Sequence, residues 1–398
     1  MMEPTVRFPA FKDSWNNYKI EDMFDRVGTP VDLDDTQTYR EIGIRSHGKG
    51  IFHKEETTAT EIGNKRVFWV EPDCFVVNIV FAWERAVAKT TEKENGMIAS
   101  HRFPMYKPKK DIVDLDYITE YFITKRGQNV LILASPGGAG RNKTLGQKEF
   151  AKSVVKLPSL PEQQKIAEFL STIDTVIEKQ KETVSAWEER KKGVMQKLFS
   201  QEVRFKADDG SDFPDWEEKK LGEYLIQYTE KTTENNQYPV LTSSRKGIYL
   251  QDDYYGRQVA SENNIGYNIV PYGYFTYRHM SDDLIFRFNI NNIVEKGIVS
   301  TLYPVFTVTD KIDSNFLQSY LNESTDFFKY CMLQKQGGSR TYMYFGKLKD
   351  FVAHLPCLAE QQKIADCLSS LDEVIEKQKS TLAAWEEMKK GLLQQMFV

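Results

Sequence analysis

The chain has 398 residues, of which 40% are hydrophobic and 13% aromatic, and its formal net charge is −4. This composition is typical of folded protein, and the length suits two domains better than one. The slight acidity argues against a surface that attracts polyanions everywhere, although a local basic face remains compatible with it. No run of about twenty apolar residues is present, which argues against a membrane span. The start lacks the basic and apolar regions of a signal peptide, so we expect a cytoplasmic protein whose four cysteines are reduced.

Residues 1–157 predict a first globular domain of mixed helix and strand. Runs rich in Val, Ile, Tyr and Phe favour strands, and a short helix is expected near 116–125. One strand leads into a basic turn that contains glycine, over 45–50. A second glycine turn at 137–144 resembles a phosphate-binding loop, but Asn142 stands where that loop needs its second glycine. We therefore interpret this segment as a turn and not as a nucleotide site.

Residues 158–200 predict a helix of about forty residues. Pro161 suits the first turn of a helix, where a missing N–H carries no penalty. Apolar residues then recur at alternating intervals of four and three, with Gln180 and Lys191 at the two skipped positions. This heptad pattern is typical of a helix that packs on another helix. Its apolar members are Ile166, Leu170, Ile173, Ile177, Val184, Trp187, Val194 and Leu198.

Residues 201–355 predict a second globular domain built on the plan of the first. A polar stretch at 206–211 separates the two halves. A strand again enters a basic turn, over 243–247, a helical stretch is expected at 315–333, and a glycine turn follows at 337–340. The order of features therefore persists, although little sequence identity remains between the two globular halves.

Residues 356–398 repeat the long helix. Leu355–Phe397 matches Leu157–Phe199 without a gap at roughly two-thirds identity, and Gln378 and Lys389 again fill the skipped positions. We expect the two helices to pair with each other, antiparallel and within the chain. The alternative is that each helix packs only on its own domain. The polar seam residues either fix the register of the pair or are solvated gaps in the apolar stripe.

Together these elements predict the α+β class. The expected architecture is two similar globular α+β domains separated by two long helices that form an intramolecular antiparallel coiled coil with pseudo-two-fold symmetry. The domain bounds that follow are 1–157 and 201–355 for the globular parts, and 158–200 and 356–398 for the helices.

No catalytic constellation is evident in the sequence. His354, Cys357 and Cys367 are close in sequence, but their spacing is wrong for zinc and the first repeat lacks them. Acidic pairs such as Asp282-Asp283 are typical of solvated turns. No dinucleotide-binding fingerprint is present. We therefore expect no catalytic residue, no metal site and no cofactor in this chain.

Basic residues at matched turns of the two halves favour a DNA-binding protein instead. Two similar domains at a fixed separation suit duplex DNA, which has its own approximate two-fold symmetry. Side chains with N–H and O–H donors can contact phosphates and guanine edges. Each residue alone could equally be an exposed surface charge, and only their coincidence at equivalent turns favours a functional role. The predicted DNA-binding residues are Arg45, Ser46, His47, Lys49, Arg141, Ser243, Ser244, Arg245, Lys246, Tyr277, Arg278, His279 and Arg340.

Two sequence patterns are specific enough to suggest a family. The long helices share the pattern LPxLxEQQKIAxxL…IEKQK…AWEExKKGxxQxxF, and a stretch that starts at Tyr238 runs YPVLTSSRKGI…GYNIVPYGYFTYRHMSDD. With these motifs the chain resembles the specificity subunit of type I restriction–modification systems over nearly its whole length. The resemblance implies that each globular half is a target recognition domain for one half of a bipartite DNA site. It also implies that the helices set the spacing and dock two methyltransferase subunits.

The resemblance implies partners and cofactors as well. The partners would be double-stranded DNA, two methyltransferase subunits and restriction subunits that translocate DNA. S-adenosylmethionine, ATP and Mg²⁺ would be bound by those subunits and not by this chain. The nearly identical helices and the different domains together predict an asymmetric DNA site, although drift in tolerant domains explains the same contrast. An alternative function from another class is a coiled-coil adaptor that organises protein partners without contacting nucleic acid.

Overall fold

The computed structural model describes residues 4–137, 143–255, 263–335 and 340–397. The chain divides into two compact units. Unit 1 comprises residues 1–182 together with 380–398, and unit 2 comprises residues 183–379. Among the described residues, no helix combines the length and the apolar character needed to cross a membrane.

Unit 1 consists mainly of short strands and helices that precede the first long helix. Its strands are β1 (Asn16–Lys19), β2 (Phe24–Val27), β3 (Thr29–Pro30), β4 (Thr38–Ile44), β5 (Ile51–Thr58), β6 (Val67–Trp69), β7 (Phe75–Val77), β8 (Val87–Lys89), β9 (Ile98–Ser100), β10 (Met105–Pro108) and β11 (Val154–Leu157). Its helices are α1 (Ile20–Met23), α2 (Ala59–Ile62), α3 (Leu115–Ile123), α4 (Lys125–Leu133) and α5 (Gln147–Lys152), followed by the start of the long helix α6 (Leu160–Phe199).

Unit 2 follows the same plan between the end of α6 and the second long helix. Its strands are β12 (Glu217–Lys220), β13 (Leu225–Tyr228), β14 (Leu241–Ser244), β15 (Gly247–Leu250), β16 (Asn268–Pro271), β17 (Phe275–Tyr277), β18 (Met280–Ser281), β19 (Phe288–Ile290), β20 (Lys296–Val299), β21 (Val305–Val308), β22 (Thr341–Tyr342) and β23 (Val352–Leu355). Its helices are α7 (Gln251–Tyr255), α8 (Ser314–Glu323), α9 (Thr325–Leu333) and α10 (Phe345–Asp350), and the long helix α11 (Leu358–Met396) begins in it. The α+β class is confirmed.

Each unit contains a four-stranded sheet with the same strand order. The order is β2-β10-β7-β8 in unit 1 and β13-β21-β17-β19 in unit 2. Phe75 of β7 pairs with Tyr106, and Phe275 of β17 pairs with Phe306, so the registers match as well. All four of these aromatic side chains are buried. The β7 and β17 strands are therefore equivalent interior strands, and the residues that follow them occupy equivalent places.

The helical stretches predicted near 116–125 and 315–333 each begin with a capped helix that stops early. The side chain of Asp114 accepts a hydrogen bond from the Tyr117 N–H, and that of Asp313 accepts one from the Phe316 N–H. The second stretch is two helices and not one, because Ser324 ends α8 and its hydroxyl caps α9.

The Glu-Gln pair that begins each long-helix motif forms a buried clamp. In unit 2, Glu360 is fully buried and accepts hydrogen bonds from Arg204 Nε at 3.1 Å, Arg204 Nη2 at 2.8 Å and Trp216 Nε1 at 3.2 Å. The next residue, Gln361, accepts from the Asp313 N–H at 2.9 Å and donates to the Pro356 carbonyl. The clamp therefore fixes the start of α8, the segment after α6 and the start of α11 to one another.

Unit 1 repeats this clamp with one difference. Glu162 accepts from Arg7 Nε at 2.7 Å and Arg7 Nη2 at 2.8 Å, and Gln163 accepts from the Asp114 N–H at 3.0 Å. The indole N–H of Trp15, however, is buried without a hydrogen-bond partner among the described residues. The clamp explains why Glu and Gln are retained in both repeats, since a buried carboxylate or amide that loses its partners is costly.

Within unit 1, the two long helices run antiparallel. Lys389 Nζ lies 2.7 Å from Asp174 Oδ1, and Lys181 Nζ lies 3.9 Å from Glu386 Oε1. Residue numbers therefore increase along α6 in the direction in which they decrease along α11. Phe397, just after α11, packs on Tyr117 of α3 with ring centroids 5.0 Å apart. The alternative in which each long helix packs only on its own domain is therefore wrong.

Within unit 2, the pairing has the same sense. Lys379 Nζ lies 2.9 Å from Glu188 Oε1, and Lys191 Nζ lies 2.5 Å from Asp372 Oδ1. The seam lysines Lys191 and Lys389 thus form matched ion pairs, one in each unit. For these lysines the interpretation as solvated gaps is wrong, because each is about four-fifths buried and bound to the facing helix.

Candidate nucleic-acid interface

In unit 2, the predicted basic turn is the tip of the β14–β15 hairpin. Ser244 pairs with Gly247, which leaves Arg245 and Lys246 at the two central positions of the turn. The Ser244 hydroxyl accepts from the Lys246 N–H at 3.1 Å and donates to the Gly247 carbonyl at 3.1 Å. Gly247 has a φ of +129°, which glycine tolerates and other residues rarely adopt. Ser243 accepts a hydrogen bond from the Asn289 side chain, so the tip is held against β19.

The loop after β18 brings two predicted arginines together. Arg245 Nη2 lies 2.7 Å from Asp283 Oδ1, and Arg340 Nε lies 2.8 Å from Asp282 Oδ1. The hydrogen bond from Arg245 lowers the pKa of the Asp283 carboxyl, so the pair is ionised at neutral pH. The acidic pair is exposed, as expected of a turn, but it also binds both guanidinium groups. This cluster joins segments that are about forty to sixty residues apart in sequence.

Tyr277 is wrongly assigned to the DNA-contacting set. Its side chain is fully buried, and its hydroxyl donates to the Met343 carbonyl at 2.9 Å. Burial raises the pKa of the Tyr277 hydroxyl well above its usual range. The reason is that the Tyr277 ring packs against the rings of Phe288 and Phe306 in the core of unit 2. Arg278 and His279 lie just beyond the strand; Arg278 is exposed and His279 partly exposed.

Two further aromatic residues, which the sequence interpretation missed, lie beside His279. The His279 ring is 5.1 Å from that of Tyr344 and 6.0 Å from that of Tyr342, and the two tyrosine rings are 5.7 Å apart. The three ring planes lie within 34° of one another. We call His279, Tyr342 and Tyr344 the aromatic platform. The alternation of Arg340, Tyr342 and Tyr344 with buried Thr341 and Met343 is a sequence signal that could have identified it.

The basic turn of unit 1 has a different environment. The Arg45 guanidinium lies over the Phe52 ring at 4.7 Å, and the Ser46 hydroxyl donates to Glu84 at 2.8 Å. His47 adopts a left-handed conformation with a φ of +63°, and its N–H donates to the Glu84 carbonyl. Arg45, His47 and Lys49 are exposed, and Ser46 is partly buried. The predicted residue Arg141 lies outside the described residues.

An open groove of about 960 Å³ adjoins this turn in unit 1. It is bounded by the turn at 48–50, the corner between α3 and α4, and the two long helices. Lys389 lies at its base, 2.7 Å from Asp174 and 3.4 Å from Glu120. Burial raises the pKa of Glu120, although the nearby Lys389 acts in the opposite direction. The groove mixes both signs of charge, so it is not a simple phosphate channel.

The two units place different side chains on the same backbone framework. In unit 1 the Leu145 N–H donates to the Ile79 carbonyl at 2.8 Å, and in unit 2 the Met343 N–H donates to the His279 carbonyl at 2.8 Å. These hydrogen bonds make Ile79 the counterpart of His279. By the same register, Thr144 and Gly146 are the counterparts of Tyr342 and Tyr344. The aromatic platform is therefore specific to unit 2.

A family model described as the type I restriction modification DNA specificity domain matches residues 12–185 and again residues 214–383. One curated relative is the MjaVIII type I restriction enzyme specificity subunit of Methanocaldococcus jannaschii, which is 27% identical over 278 residues, covering 62% of each chain. The chain thus spans less than two-thirds of the length of that relative. Another is the putative MjaX specificity subunit of the same organism, 24% identical over 306 residues, covering 73% of this chain and 68% of the relative.

Solved structures resemble the chain along almost its whole length. The HsdS subunit from Thermoanaerobacter tengcongensis has a TM-score of 0.51 and covers 97% of both chains. The S subunit of a type I system from M. genitalium has a TM-score of 0.53 and covers 100% of this chain and 99% of that one. A chain from a study of complex assembly and conformational transition of the type I R-M system has a TM-score of 0.57, covering 97% and 98%. At 14% identity, each of these likenesses shows a common fold.

Proposed function

Because the chain belongs to the family of type I restriction modification DNA specificity domains, we propose that it is the DNA-recognition subunit of a type I restriction–modification complex. Each unit recognises one half of a bipartite and asymmetric DNA site. The long helices set the spacing between the halves and dock two copies of a methyltransferase subunit. Such a subunit acts on DNA in the cytoplasm and has no catalytic residue of its own.

The proposal depends on one observation: the two repeats agree along one exposed side of each long helix and differ in the residues just beyond β7 and β17. Agreement at buried positions needs no partner, because packing requires it. Four exposed positions near the end of each long helix are also identical, and their spacing places them along one side of the helix. They are Ala186, Glu189, Lys192 and Gln196 of α6 in unit 2, and Ala384, Glu387, Lys390 and Gln394 of α11 in unit 1.

Identical exposed surfaces on the two long helices suit two copies of one partner. Different residues beyond β7 and β17 suit two different half-sites. The partners we propose are double-stranded DNA, two methyltransferase subunits and restriction subunits that translocate and cleave DNA. S-adenosylmethionine belongs to the methyltransferase subunits, and ATP and Mg²⁺ belong to the partner subunits. This chain contributes recognition and assembly.

DNA recognition is tested with the two exposed hairpin arginines. Phosphate contacts give most of the affinity and its salt dependence, and a bidentate contact to guanine discriminates by about 1–3 kcal/mol. We expect Arg45→Ala and Arg245→Ala each to weaken binding of the assembled complex to its site at least about tenfold. Arg287→Ala is the matched control for Arg245→Ala, since it removes a similar ion pair, to Glu323 at 2.6 Å. Unchanged binding by both variants, measured by fluorescence anisotropy, would show that these turns do not contact the DNA.

Asymmetry is tested with rearranged duplexes. A site in which one half is replaced by a second copy of the other half should bind at least about tenfold more weakly, because one unit then meets the wrong bases. Full affinity for either symmetric duplex would contradict the asymmetric site. If the complex binds no duplex in a sequence-dependent way at any salt concentration, the adaptor function becomes the better explanation.

Docking is tested by charge reversal on one helix at a time. Glu189→Lys with Lys192→Glu changes α6, and Glu387→Lys with Lys390→Glu changes α11; each keeps an oppositely charged i, i+3 pair. We expect each double variant to bind one methyltransferase copy and the combined variant none, as measured by native mass spectrometry. Arg190→Met is the control, because α11 has methionine at this exposed position, Met388. Two bound copies on the combined variant would contradict docking at this surface.

A further inference from the structure

We propose that the aromatic platform of unit 2 binds the face of a nucleobase that has left the DNA stack. This inference rests on the proposed function, in that it assumes that the chain binds DNA. It goes further by assigning one unit of this chain a contact with an unstacked base, in addition to the target bases that the methyltransferase copies unstack.

The platform faces outward because exposed and buried residues alternate in and around the short strand β22. Arg340, Tyr342 and Tyr344 alternate with Thr341 and Met343, whose side chains are at most 3% exposed. Tyr344 is 53% exposed and Tyr342 is partly exposed. The ring planes lie within 34° of one another with centroids 5.1–6.0 Å apart, so the rings partly overlie one another, and Tyr344 gives this small stack its most exposed face.

Folding alone does not account for Tyr344. The residue occupies the N-cap position of α10, but its side chain makes no capping hydrogen bond. Ser, Thr, Asp, Asn and Gly are the favoured residues at this position. The equivalent residue of unit 1 is Gly146, the N-cap of α5. Unit 2 therefore carries a large exposed aromatic residue at a place where the same framework accepts glycine.

Two hydrogen bonds hold the platform in place. The buried Tyr277 hydroxyl donates to the carbonyl of Met343, the residue between the two tyrosines. His279 Nδ1 lies 2.5 Å from the Leu302 carbonyl oxygen, and since a carbonyl can only accept, Nδ1 carries the proton. The imidazole is thereby oriented, and Nε2 is left as its second polar atom. Tyr277 is thus a positioning residue for the site.

Cationic side chains border the platform. Arg340 precedes it on the same side of the strand, 50% exposed and bound to Asp282, and Arg278 is exposed next to His279. A guanidinium beside an aromatic surface suits a nucleotide, because the base can stack while its phosphate meets the cation. An apolar protein partner would gain nothing from these two charges.

An intact duplex cannot use such a surface fully. Each base in a duplex has both faces covered by its neighbours, and side chains reach only base edges and the backbone. An aromatic face becomes useful when a base is unstacked, and stacking on it then contributes roughly tenfold or more in affinity. A mismatched base leaves the stack most easily, so a mismatch at the contacted position should strengthen binding.

The test uses the full chain assembled with its methyltransferase partner and a duplex selected by that complex from a randomised pool. Single mismatches are placed at each position in turn, and binding is measured by fluorescence anisotropy. Each methyltransferase copy unstacks its own target base, so one position in each half-site should bind more tightly when mismatched. We expect the half-site of unit 2 alone to show, in addition, one further position at which a mismatch tightens binding at least about fivefold. A 5-iodouracil at that position should crosslink to Tyr342 or Tyr344 on irradiation.

The variant for this test carries Tyr342→Thr and Tyr344→Gly, the residues that the unit 1 framework accepts at the same places. At the further position it should lose the preference for the mismatch and the crosslink, while the preference at the target bases of the methyltransferase copies and the discrimination at other positions persist. Tyr272→Ala, which removes an exposed tyrosine elsewhere in unit 2, should keep both. If the variant retains the mismatch preference at the further position, or if the unaltered complex shows no such further position, the proposal is wrong.

Failure of the base site can be distinguished from failure of the proposed function. Loss of a methyltransferase copy from the variant, with DNA affinity otherwise unchanged, would make the platform a protein contact and would refute the base site alone. Absence of sequence-dependent DNA binding by both the unaltered complex and the Tyr272→Ala control would refute the proposed function, and the base site with it.

Discussion

Unit 1 and unit 2 agree closely where the globular part meets the long helices, and they differ where the chain turns beyond β7 and β17. Both use a buried Arg–Glu clamp, a buried glutamine that binds the cap of a helix, and a seam lysine paired with aspartate. Beyond β7 and β17, Ile79 of unit 1 corresponds to His279 of unit 2. The comparison teaches that satisfied buried polar groups resist change, whereas exposed positions on a fixed backbone are free to acquire separate specificities.

The largest expected effect comes from breaking the clamp in one unit. Arg204→Ala leaves the buried Glu360 with the Trp216 indole as its remaining side-chain donor, and Arg7→Ala leaves Glu162 without an equivalent indole. We expect each change to lower the unfolding free energy of its own unit by about 3–5 kcal/mol, with Arg7→Ala the larger. Hydrogen exchange of α3 and α8, followed by mass spectrometry, reports the two units separately.

Arg190→Ala serves as the control for the clamp variants, because it removes an exposed arginine that lies over the Trp187 ring of its own helix. The equivalence of the clamps would be contradicted if Arg7→Ala left α3 protected while Arg204→Ala exposed α8.

A smaller difference is expected at the seam lysines. Lys389→Met removes the cation from both Asp174 and the largely buried Glu120, whereas Lys191→Met affects the half-exposed Asp372. We expect losses of about 2 kcal/mol and about 1 kcal/mol, since exposed pairs contribute little and buried charges left unpaired are costly. Denaturant unfolding of the two variants measures the difference. Equal losses would mean that Glu120 does not distinguish the two seams.

The smallest expected effect is a gain in stability that depends on pH. Burial raises the pKa of Glu120, so folding favours its protonated form and the charged form opposes folding at neutral pH. Glu120→Gln should therefore stabilise unit 1 near pH 7. The gain should fade as the pH drops below the ordinary carboxyl value of about 4.5, where the side chain is protonated in both states. Unfolding measured from pH 4 to pH 8 tests this, with the exposed Glu189→Gln as control.

The sequence predicts the two long helices better than the residues beyond β7 and β17, for a physical reason. A heptad period depends only on spacing along one chain, so Ile166 and Ile364 could be assigned to a seam without knowledge of the partner. The seam lysines were visible too, but their partners Asp174 and Asp372 lie outside the stripe. Only the register of the paired helices reveals those ion pairs.

The predicted interface was partly assembled by the fold and partly misassigned. Arg245 and Arg340 come together because one acidic turn, Asp282-Asp283, binds both, and a turn interpreted as solvated gave no hint of this. Tyr277 was misassigned because a run of basic and aromatic residues does not reveal where the buried strand ends and the exposed residues begin. The assignment of the remaining basic residues to DNA contacts stays a prediction.

The division of the chain has a consequence for its synthesis. Unit 2 is one continuous stretch, whereas unit 1 needs Met396 and Phe397, which are buried in its core next to Ile166 and Leu170. A ribosome therefore releases every residue of unit 2 before unit 1 can close, and the first domain to emerge is the last to be completed. Until then, the nascent chain exposes an apolar stripe of α6 to chaperones and to other nascent chains. A premature stop codon after residue 379 would leave unit 2 whole and damage unit 1, most of which is encoded before unit 2.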